Sequence, residues 1–143
     1  MANGEQNKAA VREFFACASS GELDRLDAFV SPDYVLHDPS LPEDVRGVDG
    51  ARELVESYRA GIAGLSVTVE HQIADGDYVA TRYTCRGTHE GSIGGLPPTG
   101  RDVAIAGLVI SRCRDGKVVE EWEVSDVFGL MQQIGAIPEM AQG

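Results

Sequence analysis

The first third of the chain carries its apolar residues at the spacing of amphipathic helices. Four of them recur at i, i+3, i+4 and i+7 and predict the buried stripe of a first helix: Val11, Phe14, Phe15 and Ala18. Gly21 predicts the end of this helix, and a second, shorter helix is predicted from Leu23 to Val30, where Ser31-Pro32 interrupts the pattern. A third helix begins near Asp49 and is closed by Gly61 and Gly64, and its apolar face comprises Ala51, Leu54, Val55, Tyr58 and Ile62.

After residue 64 the period changes to two, which is typical of strands. Together with a short strand between the helices, the pattern predicts five strands, at residues 34–39, 65–74, 78–89, 101–113 and 117–125. Turn signals at Asp75-Gly76-Asp77 and Asp115-Gly116 predict hairpins, and a loop rich in glycine and proline covers residues 91–100. A short C-terminal helix is predicted at residues 127–134, with Gly135 at its end.

In this order of elements the helices come first and an antiparallel meander of strands follows. Such an order predicts an α+β fold with the helices on one face of the sheet. We expect a curved antiparallel sheet wrapped around the helices to form a cone-shaped pocket. The chain fits one domain, residues 1–143, with an ordered core at about 8–138. The strand at 101–113 is apolar on both faces, so we expect both to be covered, the outer one by another subunit of a homodimer or higher homo-oligomer.

Charge then narrows the range of partners. The chain has 23 acidic and 12 basic residues, a formal net charge of −11. Nucleic acid and anionic membranes are excluded as main partners, because binding them requires clustered Lys and Arg. The N-terminal residues lack the apolar core of a secretion signal, and no apolar run is long enough to span a bilayer, so we expect a cytoplasmic protein.

Sequence motifs for common cofactors are absent. The three histidines and three cysteines lack metal-ligand spacing, and the cysteines are expected to be reduced thiols. No glycine-rich nucleotide motif and no Gly-x-Ser-x-Gly elbow occurs. We therefore expect neither a metal nor another cofactor.

The last strand leads to the main candidate for chemistry, Asp126. If Trp122 faces the inside of the sheet, Val124 and Asp126 face it too, since strand side chains alternate. A carboxyl group beside an indole and an aliphatic wall would be desolvated, and its raised pKa would suit a general acid or base. The alternative is that Asp126 caps the C-terminal helix, because it immediately precedes Val127.

Further candidates lie on the neighbouring elements. Gly107 and Val109 share one face of the strand at 101–113, and Gly107 either leaves room for a ligand or marks a bend. His37 is either a polar partner of the acid across the pocket or a surface histidine. Tyr58, on the buried stripe of the third helix, would place its hydroxyl at the rim of the cavity.

Four segments of the C-terminal half form a recognisable pattern: Gly87-Thr88-His89-Glu90-Gly91, Leu96-Pro97-Pro98-Thr99-Gly100-Arg101, Asp115-Gly116-Lys117-Val118-Val119-Glu120-Glu121-Trp122, and Asp126 with Gly129-Leu130-Met131-Gln132-Gln133-Ile134-Gly135. With Phe14-Phe15, Pro32-Asp33-Tyr34 and Gly47 in the first half, this pattern resembles the SnoaL-like polyketide cyclase family of the nuclear-transport-factor-2-like superfamily. That fold hosts cyclases, isomerases, hydratases, hydroxylases and binding proteins without turnover, so the resemblance specifies the fold more closely than the reaction.

The resemblance implies a cone-shaped α+β fold and a homo-oligomer packed through its sheets. In the aldol cyclases of the family, an aspartate at the position matched by Asp126 removes a proton beside a carbonyl, and the enolate closes a ring without a cofactor. Those cyclases carry a glutamine and a histidine on the preceding strand, where this chain has Gly107 and Val109. Neither can donate a side-chain hydrogen bond to an enolate, so either His37 or Tyr58 supplies that help or the chemistry differs.

Taken together, residues and resemblance predict a cofactor-independent cyclase of polyketide and antibiotic biosynthesis that closes a ring in an apolar, polyketide-like small molecule. The expected catalytic residues are Asp126 and His37, and the expected substrate contacts are Trp122, Tyr58, Gly107, Val109, Val124 and Leu96. The alternatives are a small-molecule-binding protein without turnover, or a member with isomerase, hydratase or hydroxylase activity.

Overall fold

The computed structural model describes residues 3–138, in which helices cover one face of a single curved sheet. The helices are α1 (Gly4–Ser20), a 3₁₀ helix (Leu23–Ala28), α2 (Gly47–Gly61) and α3 (Val127–Gln133). The strands are β1 (Val30–His37), β2 (Val45–Arg46), β3 (Ile62–Asp75), β4 (Tyr78–His89), β5 (Asp102–Arg114) and β6 (Lys117–Ser125). The predicted α+β class is confirmed.

Two elements of the first half differ from the prediction. The second helix is only a 3₁₀ segment, and Val30 already begins β1. Pro32 is tolerated in this strand because the pairing of β1 is irregular between Val30 and Val35, where no regular ladder needs its missing N–H. The two-residue strand β2 was not predicted, since two residues are too few to show a period.

The sheet has the strand order β2-β1-β6-β5-β4-β3. Four of its five pairings are antiparallel, but β1 runs parallel to β6, so the expectation of a wholly antiparallel sheet is wrong at this pair. The chain leaves β1, builds β3 to β5 and returns with β6 along the inner edge of β1. As a result β6 lies in the middle of the sheet, where its inward side chains are shielded from both sides.

Aromatic contacts hold α1 against the concave face of the sheet. The ring of Phe14 meets Tyr34 edge-on at 5.8 Å between centroids, and Phe15 lies 5.0 Å from Tyr83. Two groups of buried apolar side chains close the ends of the fold. One surrounds Val11 under α1, and the other surrounds Ile105 under α3. The space between these two groups is the cavity described below.

The convex face of the sheet is apolar and uncovered in the single chain. Leu108 and Val124 are 59% and 63% exposed, and other large apolar side chains of this face lie beside them: Tyr78, Ile110 and Trp122. The inner face of β5 is covered as expected, and the cover of its outer face by a second subunit stays a prediction. None of the helices among residues 3–138 has the length and hydrophobicity needed to cross a bilayer.

Candidate active site

A β-bulge decides which side chains of β6 enter the interior. Val118 pairs with Cys113 and Glu120 pairs with Arg112, so Val119 is an extra residue between two regular pairs. Val118 points inward before the bulge, whereas Glu121 points inward after it. From there the alternation continues, so Glu123 and Ser125 also face the interior.

These inward residues border an internal cavity of about 380 Å³ between α1, α2, α3 and the sheet. Most of its wall is aliphatic or aromatic and includes Val11, Phe14, Phe15, Leu36, Leu41, Leu54, Val55, Ile62, Leu65, Val67, Ile93, Ile105, Leu130 and Met131. Its polar groups are few and comprise Tyr34, Ser40, Ser57, Tyr58, Tyr83, Cys85, Ser92, Glu121, Glu123 and Ser125. Among the described residues that line it, none is Lys, Arg or His.

The carboxyl group of Glu123 lies in this wall and is hydrogen-bonded to a tyrosine. The hydroxyl of Tyr83 donates a hydrogen bond to its Oε2 at 2.5 Å. Burial raises the pKa of Glu123 to about 7, with the negative charge of Glu121 as the second cause. The hydrogen bond from Tyr83 acts in the opposite direction and lowers this pKa. A carboxyl group with a pKa near neutrality can both accept and return a proton at physiological pH, as general acid–base catalysis requires.

Gly107 makes the contact between Tyr83 and Glu123 possible. Tyr83 pairs with Gly107 across β4 and β5, and its ring passes over the glycine to reach β6. A Cβ atom at position 107 would lie 2.3 Å from both Cζ and Oη of Tyr83. The space that the missing side chain leaves is thus occupied by a tyrosine ring, which answers the choice between room for a ligand and a bend.

A second carboxyl group, Glu121, lies on the same face of β6. It accepts hydrogen bonds from the hydroxyl of Tyr34 at 2.6 Å and from the hydroxyl of Ser111 at 2.5 Å. Burial raises the pKa of Glu121, while the two hydroxyl donors oppose that rise. The interior of the sheet therefore contains two neighbouring acids instead of the single aspartate that was expected.

The expectation that Asp126 lies on the pocket wall is wrong. Its side chain is exposed, and its Oδ1 accepts a hydrogen bond at 2.8 Å from the backbone N–H of Gly129 in the first turn of α3. β6 ends one residue earlier, so the alternation of the strand no longer directs Asp126. The alternative reading, a cap of the C-terminal helix, is confirmed.

Trp122, Val124 and His37 also lie outside the cavity. With Leu108 and Ile110 they border a shallow groove on the convex face of the sheet, where His37 stacks on Trp122 at 5.7 Å between ring centroids. The bulge places these even-numbered positions of β6 outward, so the predicted contacts of Trp122 and Val124 with a substrate in the interior are wrong.

His37 therefore lies in the groove on the convex face and does not line the cavity. Its Nε2 lies 2.7 Å from Glu120, and its Nδ1 lies 3.2 Å from Asp44. The hydrogen bond with Glu120, more than any other contact, raises the pKa of His37. The imidazole can donate hydrogen bonds to both carboxylates at once only when it is protonated, and in that form it joins the segment after β1 to β6 as an ion pair.

The remaining predicted residues divide between the cavity and its supports. Tyr58 lines the cavity and is 41% exposed, which places it at the rim as predicted. Val109 is buried on the inner face of β5, paired with Glu123, beneath the cavity surface. Leu96 packs against the apolar group under α3 and bridges to Ile93, which itself lines the cavity.

Glu123, Glu121 and Tyr83 were missed, although the sequence contained a signal for the two acids. From residue 121 to residue 124 acids alternate with apolar residues, so this part of β6 has an acidic face and an apolar face. The usual rule that apolar side chains face the interior predicts the opposite orientation of the two faces. The consecutive valines Val118 and Val119 were the sign of a bulge that could have reversed this assignment.

No group of three or more His, Cys, Asp or Glu side chains within residues 3–138 is arranged to hold a metal ion. Among the described residues, Glu123 is a group that could transfer a proton and Tyr83 one that could donate a hydrogen bond, in a wall that is mostly apolar.

Comparison with protein families identifies relatives of this fold. Residues 8–134 match the family model of the SnoaL-like polyketide cyclases. Nogalonic acid methyl ester cyclase from Streptomyces nogalater is 28% identical over 119 residues, which are 82% of this chain and 88% of that protein.

Solved structures agree with this assignment. The structure of IdmH from Streptomyces antibioticus, described as a candidate polyketide cyclase, is 33% identical with a TM-score of 0.81, covering 91% of this chain and 99% of that one. The structure of AclR from Streptomyces galilaeus, described as a candidate hydroxylase, is 29% identical with a TM-score of 0.85, covering 98% and 87% respectively. Similar folds therefore occur in proteins to which different reactions are ascribed.

Proposed function

Because the chain belongs to the SnoaL-like polyketide cyclase family, we propose that it is a cofactor-independent cyclase of polyketide biosynthesis in which Glu123 moves the proton. The observation that carries the proposal is the hydrogen-bonded pair of Glu123 and Tyr83 in the wall of an apolar cavity. Asp126, which the resemblance nominated, caps α3 with its side chain exposed.

In the proposed reaction, ionised Glu123 removes a proton from a carbon next to a carbonyl group of the substrate. The electron pair of the broken C–H bond forms an enolate, whose carbon attacks a second carbonyl carbon of the same molecule. A C–C bond closes the ring, and protonated Glu123 returns its proton to the new alkoxide. The substrate and product are isomers, so no oxidant or reductant is consumed.

Tyr83 is placed to stabilise the enolate. Standard C–C and C=O bond lengths separate a carbonyl oxygen from the adjacent carbon by about 2.4 Å. The two oxygens of the Glu123–Tyr83 pair are 2.5 Å apart, so one can face the carbon and the other the carbonyl oxygen. Burial, first of all, raises the pKa of Tyr83, which keeps its hydroxyl protonated as a donor. Once Glu123 has taken up the substrate proton, the single O–H of Tyr83 can turn from Glu123 to the enolate oxygen, and it then supplies the hydrogen bond that Gly107 and Val109 cannot.

The charges of the cavity favour an uncharged substrate. Two acids face the interior, and no basic side chain among the described lining residues would compensate a substrate carboxylate. An aromatic or polycyclic ketone with its acid esterified fits both the apolar wall and this charge. The relative from Streptomyces nogalater is named for a methyl ester of this kind, which makes nogalonic acid methyl ester the first compound to test.

The pH dependence of turnover tests the role of Glu123. Its carboxyl group must be ionised to accept the first proton, so kcat/KM should be low in acid, rise as the pH passes about 7, and reach a plateau above it. The measurement is the initial rate of ring closure between pH 5 and 9. The proposal would be contradicted if kcat/KM rose near the ordinary pKa of glutamate, or if it fell as the pH rises through 7.

Hydroxylation is the second candidate, because AclR shares this fold. The two reactions differ in mass balance: ring closure leaves the mass of the substrate unchanged, whereas hydroxylation adds one oxygen atom. Mass spectrometry of the product separates them, and ligand binding without any product identifies a binding protein.

The convex face of the sheet supports the proposal of a homodimer. Its exposed apolar side chains form one continuous patch around Leu108 and Val124, larger than isolated surface residues explain. If two copies of the chain pack these patches against each other around a twofold axis, the outer face of β5 is covered. We expect a sedimentation mass of at least twice 15.3 kDa and a shift toward monomer in Leu108→Glu. A wild-type mass near 15.3 kDa at micromolar concentration would contradict this proposal.

A further inference from the structure

The reaction proposed above gives no step to Glu121, although this acid is among the most enclosed polar residues of the described chain. It is 6% exposed, and both of its carboxyl oxygens accept short hydrogen bonds, one from Tyr34 and one from Ser111. These donors come from β1 and β5, the two strands on either side of β6. Three strands thus converge on a group that does not need to touch the substrate.

The hydrogen bonds indicate which of the two acids ionises first. Each hydroxyl donor stabilises the charged form of the carboxyl group that accepts it. Glu121 accepts two such bonds, whereas Glu123 accepts one, from Tyr83. The hydrogen bonds therefore favour ionisation of Glu121 before that of Glu123.

The position of the two acids makes the second proton harder to remove. Two residues apart on one strand face, Glu121 and Glu123 lie about 6.8 Å apart at the backbone. In a cavity with a mostly apolar wall, negative charges on two neighbouring side chains of one strand face repel each other more strongly than they would in water. The charge of Glu121 is the second cause, after burial, of the raised pKa of Glu123.

We propose that Glu121 is a positioning residue of the active site, whose carboxylate is held by Tyr34 and Ser111 on the same strand face as Glu123 and there opposes the ionisation of Glu123. The inference rests on the proposed function, because it explains how Glu123 can accept and return a proton near neutral pH. It concerns ionisation in the free protein, so it can be tested without a substrate.

The other polar groups around the pair do not supply this effect. The titratable groups that face it from the surrounding elements are Tyr34 and Asp38 at β1, Tyr58 on α2, Tyr83 and Cys85 on β4, and Cys113 on β5. None of them is a cation. Asp38 also raises the pKa of Glu123, but less than Glu121 does, and its own Oδ1 is engaged by the backbone N–H and the hydroxyl of Ser40.

The experiment is a titration of the whole protein labelled with ¹³C at the side-chain carboxyl carbon of glutamate. The resonance of Glu123 is identified by its loss in Glu123→Gln, and in the wild type it should titrate near pH 7. In Glu121→Gln we expect its midpoint to fall by on the order of one pH unit, because one nearby charge has been removed. Glu120→Gln is the matched control, since Glu120 lies on the outward face of the same strand and should leave the midpoint unchanged.

Ser111→Ala provides a second variant in case Glu121→Gln does not fold. Removing this donor makes Glu121 hold its proton more tightly, so the midpoint of Glu123 should also fall. An unchanged midpoint in whichever of these variants folds overturns the inference. That result is distinct from failure of the proposed function, in which Glu123→Gln retains turnover whatever the titration shows.

Discussion

Replacing Glu123 by glutamine should lower the rate of ring closure by about 10²- to 10⁴-fold, the usual contribution of a positioned general acid or base. Glutamine has nearly the same shape, and its amide oxygen can still accept the hydrogen bond that Tyr83 donates to Glu123. We therefore expect the folded structure, the melting temperature and ligand affinity to change little. The measurements are single-turnover kinetics with an uncharged polyketide ester and a binding isotherm for the same compound.

Asp126→Asn is the matched control for this experiment. Asparagine is as good a helix cap as aspartate, and Asp126 makes its hydrogen bond to the backbone of Gly129 in α3. We expect Asp126→Asn to retain near-normal turnover. If Asp126→Asn loses activity while Glu123→Gln keeps it, the acid/base role belongs to the residue that the resemblance nominated, and the proposed mechanism is wrong.

Adding one methyl group at Gly107 should have the opposite effect from most glycine-to-alanine changes in strands. Alanine ordinarily stabilises a strand or helix interior relative to glycine by roughly 0.5–1 kcal/mol. At position 107 the new Cβ would lie 2.3 Å from the ring and hydroxyl of Tyr83. The ring must move, so we expect Gly107→Ala to lower the free energy of unfolding by about 1–3 kcal/mol, as overpacking does. Turnover should fall as well, because Tyr83 then loses its alignment with Glu123.

A double-mutant cycle isolates this contact. Tyr83→Ala removes the ring, so Gly107→Ala should cost little or even stabilise in the Tyr83→Ala background. The measurement is chemical denaturation of the four proteins. Equal costs of Gly107→Ala with and without the tyrosine ring would show that the glycine serves the backbone of β5 and not the tyrosine.

Much of the fold was predictable because its signals are local. The four long strands, α1 and α2 were identified from periods of 2 and 3.6, since burying one face of an element imposes that period on its own residues. The cap of α3 could also be predicted, because Asp126 accepts its hydrogen bond from the N–H group of Gly129, only three residues away. The fixed spacing between a cap residue and the N–H group that it binds requires no knowledge of the rest of the chain.

The active site was decided by tertiary structure. The sequence by itself determined an α+β fold with a pocket between helices and sheet, and an acid near the end of the last strand. It could not show which acid enters the pocket, because one extra residue at Val119 exchanges the two faces of β6. Glu121 and Glu123 are tolerated inside only because hydroxyl groups from three other strands meet them there, those of Tyr34, Tyr83 and Ser111. Burying a carboxyl group is unfavourable until such donors are in place, and only the assembled sheet brings them together.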